Sequence, residues 1–123
     1  MPFHKLDVYR KAYDLSLRLH KVTLRFPQFE QYEMGQQLRK CTKSICANIG
    51  EGMGRQASPN DVIHFLRNAL GSCDETRIWL EYARDLGYLE AGEFDQFHAG
   101  SVEIGKMLNG LISTWKKKGG LPR

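Results

Sequence analysis

A chain of 123 residues, 41% hydrophobic and 26% charged, is long enough for one domain with its own core and has no run near the roughly 18 apolar residues of a membrane span. Its start, Met1 to Lys11, lacks the apolar block of a secretory signal, so a cytoplasmic protein is expected. The net charge of +4 is unevenly spread: residues 1–60 carry ten Lys/Arg against five Asp/Glu, residues 61–110 four against nine, and residues 111–123 four against none. Such asymmetry favours an acidic partner for the basic half, head-to-tail contact between subunits, or both.

The first helix is expected from Lys5 to Arg25. Val8, Ala12, Leu15, Leu19, Val22 and Phe26 recur at alternating steps of four and three, the spacing of a bundle seam. The opposite face holds Arg10, Lys11, Arg18, Lys21 and Arg25, with only Asp7 and Asp14 for balance. Pro27 stops the helix, because it disfavours helical geometry in the residue before it. A link, Gln28 to Gln31, follows.

The second helix is expected from about Tyr32 to about Met53, and it carries two seams. Leu38, Ile45, Ile49 and Gly52 form an apolar stripe, and Ser44, Asn48, Glu51 and Arg55 a polar one beside it. Arg39, Lys40 and Lys43 crowd its first half. Gly50, Gly52 and Gly54 do not form a phosphate loop, since no strand precedes them. They suit a close helix–helix approach, at roughly 1 kcal/mol each in lost helix propensity.

Ser58 and Pro59 mark the start of the third helix, as an N-cap residue and a first-turn proline, and Gly87 its C-terminal cap. Val62, Leu66, Ala69, Cys73, Thr76, Leu80 and Ala83 make its seam, and Asp74, Glu75, Glu81 and Asp85 an acidic outer face. Trp79 and Tyr82 lie beside the seam, where aromatics suit a subunit interface or partial burial at the bundle edge. The fourth helix is expected from about Ala91 to about Lys117, with Phe94, Phe97, Ser101, Ile104, Leu108, Leu111 and Trp115 as its seam. A basic, disordered tail is expected at 119–123. Four helices with short links predict a single all-α domain over 1–118, an antiparallel up-down-up-down four-helix bundle.

The chain resembles the four-helix-bundle proteins encoded in intervening sequences of bacterial 23S ribosomal RNA genes. The resemblance runs from Phe3 to Trp115. It rests on Phe3, Leu6, Val8 and Tyr9; on Thr23, Phe26 and Pro27; and on Gln37, Leu38, Arg39 and Lys40. It continues through Ser44, Ile45, Asn48, Ile49, Glu51, Gly52 and Arg55, then Phe65, Leu66, Ala69, Gly71, Ser72 and Glu75. Cys46 and Gly50 depart from the usual pattern. The resemblance implies a bundle that assembles into a ring of five. It also implies a distant relative, the accessory protein of diversity-generating retroelements, which works with a reverse transcriptase and nucleic acid.

Several functional readings follow. Cys41, Cys46 and Cys73 form no C-x-x-C pair and the four histidines are scattered, so free buried thiols are expected, with no metal and no cofactor. Glu51 as a general base, assisted by Asn48 and Arg55, is weighed against an intrahelical Glu51–Arg55 pair with Asn48 setting register across a boundary; the second is favoured. With no nucleophile–base pair, metal cluster or cofactor fingerprint, no enzyme and no small-molecule substrate are expected. The remaining readings are a homo-oligomer that binds RNA or DNA through Arg10, Lys11, Arg18, Lys21, Arg39, Lys40 and Lys43, or a scaffolding oligomer whose charges serve assembly and a protein partner. Ser44, Asn48, Glu51, Arg55, Trp79 and Tyr82 are the expected interface or register residues.

Overall fold

The computed structural model describes residues 2–119. A 3-10 turn, Phe3–Lys5, leads into α1 (Asp7–Thr23), the short α2 (Gln28–Gln31), α3 (Met34–Met53), α4 (Pro59–Asp85) and α5 (Ala91–Lys117). Four long helices and no strand among the described residues make the all-α bundle that the heptad-like spacing predicts.

Pairs of touching residues fix the topology. Along the α1–α3 seam Phe3 lies against Gly50, His20 against Lys43 and Thr23 against Arg39, so one number rises as the other falls. The α3–α4 seam pairs Gly52 with Phe65, Ser44 with Ser72 and Cys41 with Thr76. Cys73 meets Ser101 between α4 and α5. Lys11–Glu103, Arg18–Gln96 and Arg25–Glu93 close α5 back onto α1. Every neighbouring pair along this circuit is antiparallel, and the bundle closes.

The core is the sum of the four seams. Leu19, Leu38, Ile45, Ile49, Leu66, Leu80 and Leu108 are fully buried, each contributing about 1.5–3 kcal/mol relative to exposure. The α4 seam is buried as expected, from Val62 to Ala83. Two positions differ. On α1, Thr23 is buried and Val22 only half-buried, because the Thr23 hydroxyl is bonded inside the seam. On α5, Ile112 is buried in place of Leu111.

The helix ends show what local chemistry decides. Ser58 occupies the N-cap position of α4 and Pro59 its first turn, but the Ser58 hydroxyl makes no capping bond. Gly87, at φ 82°, closes α4: its N–H donates to Arg84 O at 3.0 Å, and that of Tyr88 to Ala83 O at 2.8 Å. The start of α5 is held by a reciprocal cap between Glu90 and Glu93 that the sequence reading missed. The second long helix begins at Met34 rather than Tyr32, because Gln28–Gln31 winds into its own turn after Pro27 and Glu33 breaks the run. Of the expected tail, residues 120–123 lie outside the described residues.

Candidate nucleic-acid interface

The seven basic candidates fall into two groups. Arg10 pairs with Asp7 on its own helix, Lys11 reaches Glu103 on α5 at 3.5 Å, and Arg18 reaches Asp14 at 3.6 Å while its guanidinium lies over the Phe97 ring. These charges are already matched. Lys21, Arg39, Lys40 and Lys43 have no carboxylate partner among the described residues.

Within the second group the side chains act differently. Arg39 is half-buried and structural: Nη1 donates to Thr23 Oγ1 at 2.8 Å and Nη2 to Gln31 O at 2.7 Å. It ties α3 to α1 and to the α2 turn while leaving its charge unneutralised. Lys43 Nζ donates to His20 Nδ1 at 3.0 Å. Burial, then the neighbouring Lys43 and Arg39 charges, hold the His20 imidazole below its ordinary pKa. Lys21 and Lys40 are exposed. The α1–α3 junction thus brings Lys43 and Arg39 against His20.

Next to this cluster lies a groove of about 810 Å³ between the outer faces of α1 and α3. Phe3, Tyr9, Tyr13 and Leu17 form one wall, and Cys46, Ala47, Gly50 and Gly54 the other; Lys43 stands at one end and Arg55 at the other. The Phe3 and Tyr9 rings are 5.0 Å apart edge to face, and Tyr9 and Tyr13 are stacked at 6.0 Å. Nothing in the seam spacing announces this groove, since Phe3, Tyr9 and Tyr13 fall outside the heptad positions.

The polar stripe of α3 is mostly self-contained. Arg55 pairs with Glu51 at 3.1 Å, as the spacing predicts, and its guanidinium lies over Phe65. Asn48 does not reach across a helix boundary: its Nδ2 donates back to Ser44 O at 2.9 Å and to Ser44 Oγ at 3.0 Å. The cross-helix bond is made by Ser44, which accepts from the Ser72 hydroxyl of α4 at 2.8 Å. Acceptors one turn away on the same helix satisfy the Asn48 amide N–H groups. Glu51 is tied to Arg55.

A second groove, of about 550 Å³, lies where Trp79 and Tyr82 of α4 meet Tyr32, Glu33, Met34 and Gln37. The Trp79 indole donates to Glu75 at 3.0 Å and is half-buried, whereas Tyr82 is exposed. Glu30, also at this groove, is buried and accepts from the Tyr88 hydroxyl at 2.9 Å.

The three thiols are buried and free. Desolvation pushes Cys41 and Cys46 up to about 11 and raises Cys73. Among the described residues no group of three or more His, Cys, Asp or Glu side chains is placed to hold a metal ion, and no helix is long and apolar enough to cross a membrane.

The fold defines the class: a single antiparallel four-helix bundle with one basic seam. The family model of the 23S rRNA-intervening sequence proteins matches residues 4–110, and the chain belongs to that family. A crystal structure of a protein of unknown function from the S23 ribosomal protein family of Bacteroides thetaiotaomicron VPI-5482 is similar to it. The two share 29% identity over 85% of this chain and 97% of that one, with a TM-score of 0.75. Among curated proteins none matches.

Proposed function

We propose that the chain is a non-enzymatic cytoplasmic module that assembles into a homo-oligomer, a ring of five, and binds nucleic acid through its phosphates. One observation carries the binding: Lys21, Lys40 and Lys43 are exposed, and neither they nor Arg39 has a carboxylate partner among the described residues. Lysine and arginine clusters of this kind displace condensed counterions from a phosphate backbone, which gives sequence-independent, salt-sensitive binding. The assembly is supported by the exposed aromatic patch of Tyr32 and Tyr82, with Ile78 and the half-buried Trp79, where rings rimmed by Glu33 and Glu75 suit a subunit contact. The number of subunits rests on the family resemblance.

A scaffolding oligomer without nucleic acid is the second reading. It is favoured by the ion pairs that already engage Arg10, Lys11 and Arg18.

Titration of fluorescent RNA and DNA duplexes, paired with light scattering, tests both halves. Binding near 50 mM salt that weakens steeply towards about 200 mM is expected, with a mass close to five times 14.1 kDa. No binding at the lower salt removes the nucleic-acid half, and a monomer at high concentration removes the assembly.

A further inference from the structure

We infer that the groove between α1 and α3 is a binding site for single-stranded nucleic acid, whose bases stack on Tyr13 and Tyr9 while its backbone runs past Lys43. The inference rests on the nucleic-acid reading above and specifies its ligand. Phosphate contact alone gives no use to an apolar groove, yet the two features are continuous: Lys43 belongs to the basic cluster and also lines the groove.

The groove asks for a ligand with flat apolar faces and negative charge. Tyr13 is 49% exposed and Leu17 45%, an apolar wall that no described residue covers. Tyr9 and Tyr13 already stack on each other with planes 20° apart, so an added ring continues an existing ladder. The other wall is kept low by Ala47, Gly50 and Gly54. At Gly50 an added Cβ would touch the Phe3 ring at 3.5 Å, so that wall stays close to the rings without filling the space.

Length and charge agree with an extended strand. Lys43 and Met53 are ten positions apart on α3, roughly 15 Å along its axis at about 1.5 Å per residue, and Arg55 follows two residues past the helix end. The volume of about 810 Å³ lies within the roughly 300–1,000 Å³ of ligand sites. The one carboxylate in the lining, Glu51, is matched by Arg55. A duplex keeps its base faces inside its own stack and cannot use the ladder, whereas a single strand can splay its bases onto aromatic rings.

The test compares a fluorescent oligouridine strand with an RNA duplex of equal length, at about 50 mM salt, on the assembled protein. Wild-type protein is expected to bind the single strand more tightly. Tyr13→Ala is expected to lose about 5- to 100-fold in single-strand affinity and to keep duplex affinity within about twofold, and Tyr13→Phe to bind like the wild type. Unchanged single-strand binding in Tyr13→Ala, with loss in a Lys21→Gln/Lys40→Gln/Lys43→Gln variant, overturns the groove and leaves the phosphate reading standing. A drop in particle mass for Tyr13→Ala by light scattering assigns the groove to a second copy of the chain and also overturns it. Binding of neither ligand by the wild type removes both readings together.

Discussion

Lys43 and His20 meet across the α1–α3 seam, the ammonium donating to the imidazole Nδ1 at 3.0 Å. The ring must be neutral at that nitrogen to accept, so the lysine and the proton compete for one lone pair. Arg39 and Lys43 face His20 from α3 and Lys21 adjoins it on α1, with no carboxylate bonded to it. A proton added to His20 therefore raises the charge of the cluster and releases Lys43.

The direction of the pH effect follows. The folded-state pKa of His20 lies below its ordinary value, so the unfolded chain binds more protons between the two values. Its contribution to stability is complete above the unfolded pKa of about 6.5 and is lost as pH falls towards the folded value. A bound phosphate acts oppositely and favours the imidazolium. Affinity for nucleic acid should rise as pH drops from about 7.5 to about 5.5, and His20→Gln should flatten that rise. Anisotropy titrations across this range, with wild type and variant, check it; parallel profiles for the two proteins would refute it.

Arg39 belongs to the framework as much as to the surface. Arg39→Ala removes its bonds to Thr23 Oγ1 and Gln31 O and leaves the fully buried Thr23 hydroxyl without that donor. A loss of about 1–3 kcal/mol in unfolding free energy is expected, measured by urea denaturation. Lys40→Ala, at an exposed position one residue on, should change stability by less than about 0.5 kcal/mol.

Two helical glycines should respond with opposite sign. At Gly52 an added Cβ would sit 3.1 Å from Phe65 Cβ and 3.4 Å from Val62 O, atoms too close to the α4 backbone to swing aside. Gly52→Ala is expected to destabilise by about 1 kcal/mol, overpacking outweighing the gain in helix propensity. At Gly71, exposed on α4, nothing lies within 4 Å, and Gly71→Ala should stabilise by about 0.5–1 kcal/mol. Thermal melts of the two variants decide it.

Burial sets the thiol chemistry. With Cys41 and Cys46 pushed up to about 11, little thiolate exists at neutral pH. Alkylation at about pH 8 should run roughly a hundredfold slower than for a free cysteine, and reach full extent in denaturant. Fast labelling of the native protein would show that the helices open.

The seams were legible because spacing and punctuation agreed. Pro59 and Gly87 bracket α4, and every seam residue between them is buried. The start of α3 was not, since Tyr32 looks helical until Glu33 breaks the backbone two residues before Gly35. At the site, sequence showed charge but not who neutralises it. Arg18 and Arg39 read alike on paper, yet one meets Asp14 and the other the Thr23 hydroxyl. For Asn48 spacing gives the face and not the partner, which within the chain is Ser44 one turn back. Tyr9 and Tyr13 stack as an i,i+4 pair within α1, but the groove they border depends on how far α1 and α3 stand apart, which no periodicity encodes.

The most direct test is the salt dependence of duplex binding by the wild type and by the Lys21→Gln/Lys40→Gln/Lys43→Gln variant. Each phosphate contact contributes about 0.9 to the slope of log affinity against log salt, so the variant should bind more weakly with a slope shallower by about 2 to 3. Equal slopes and affinities for the two proteins would contradict the assignment of the α1–α3 lysines to the phosphate backbone.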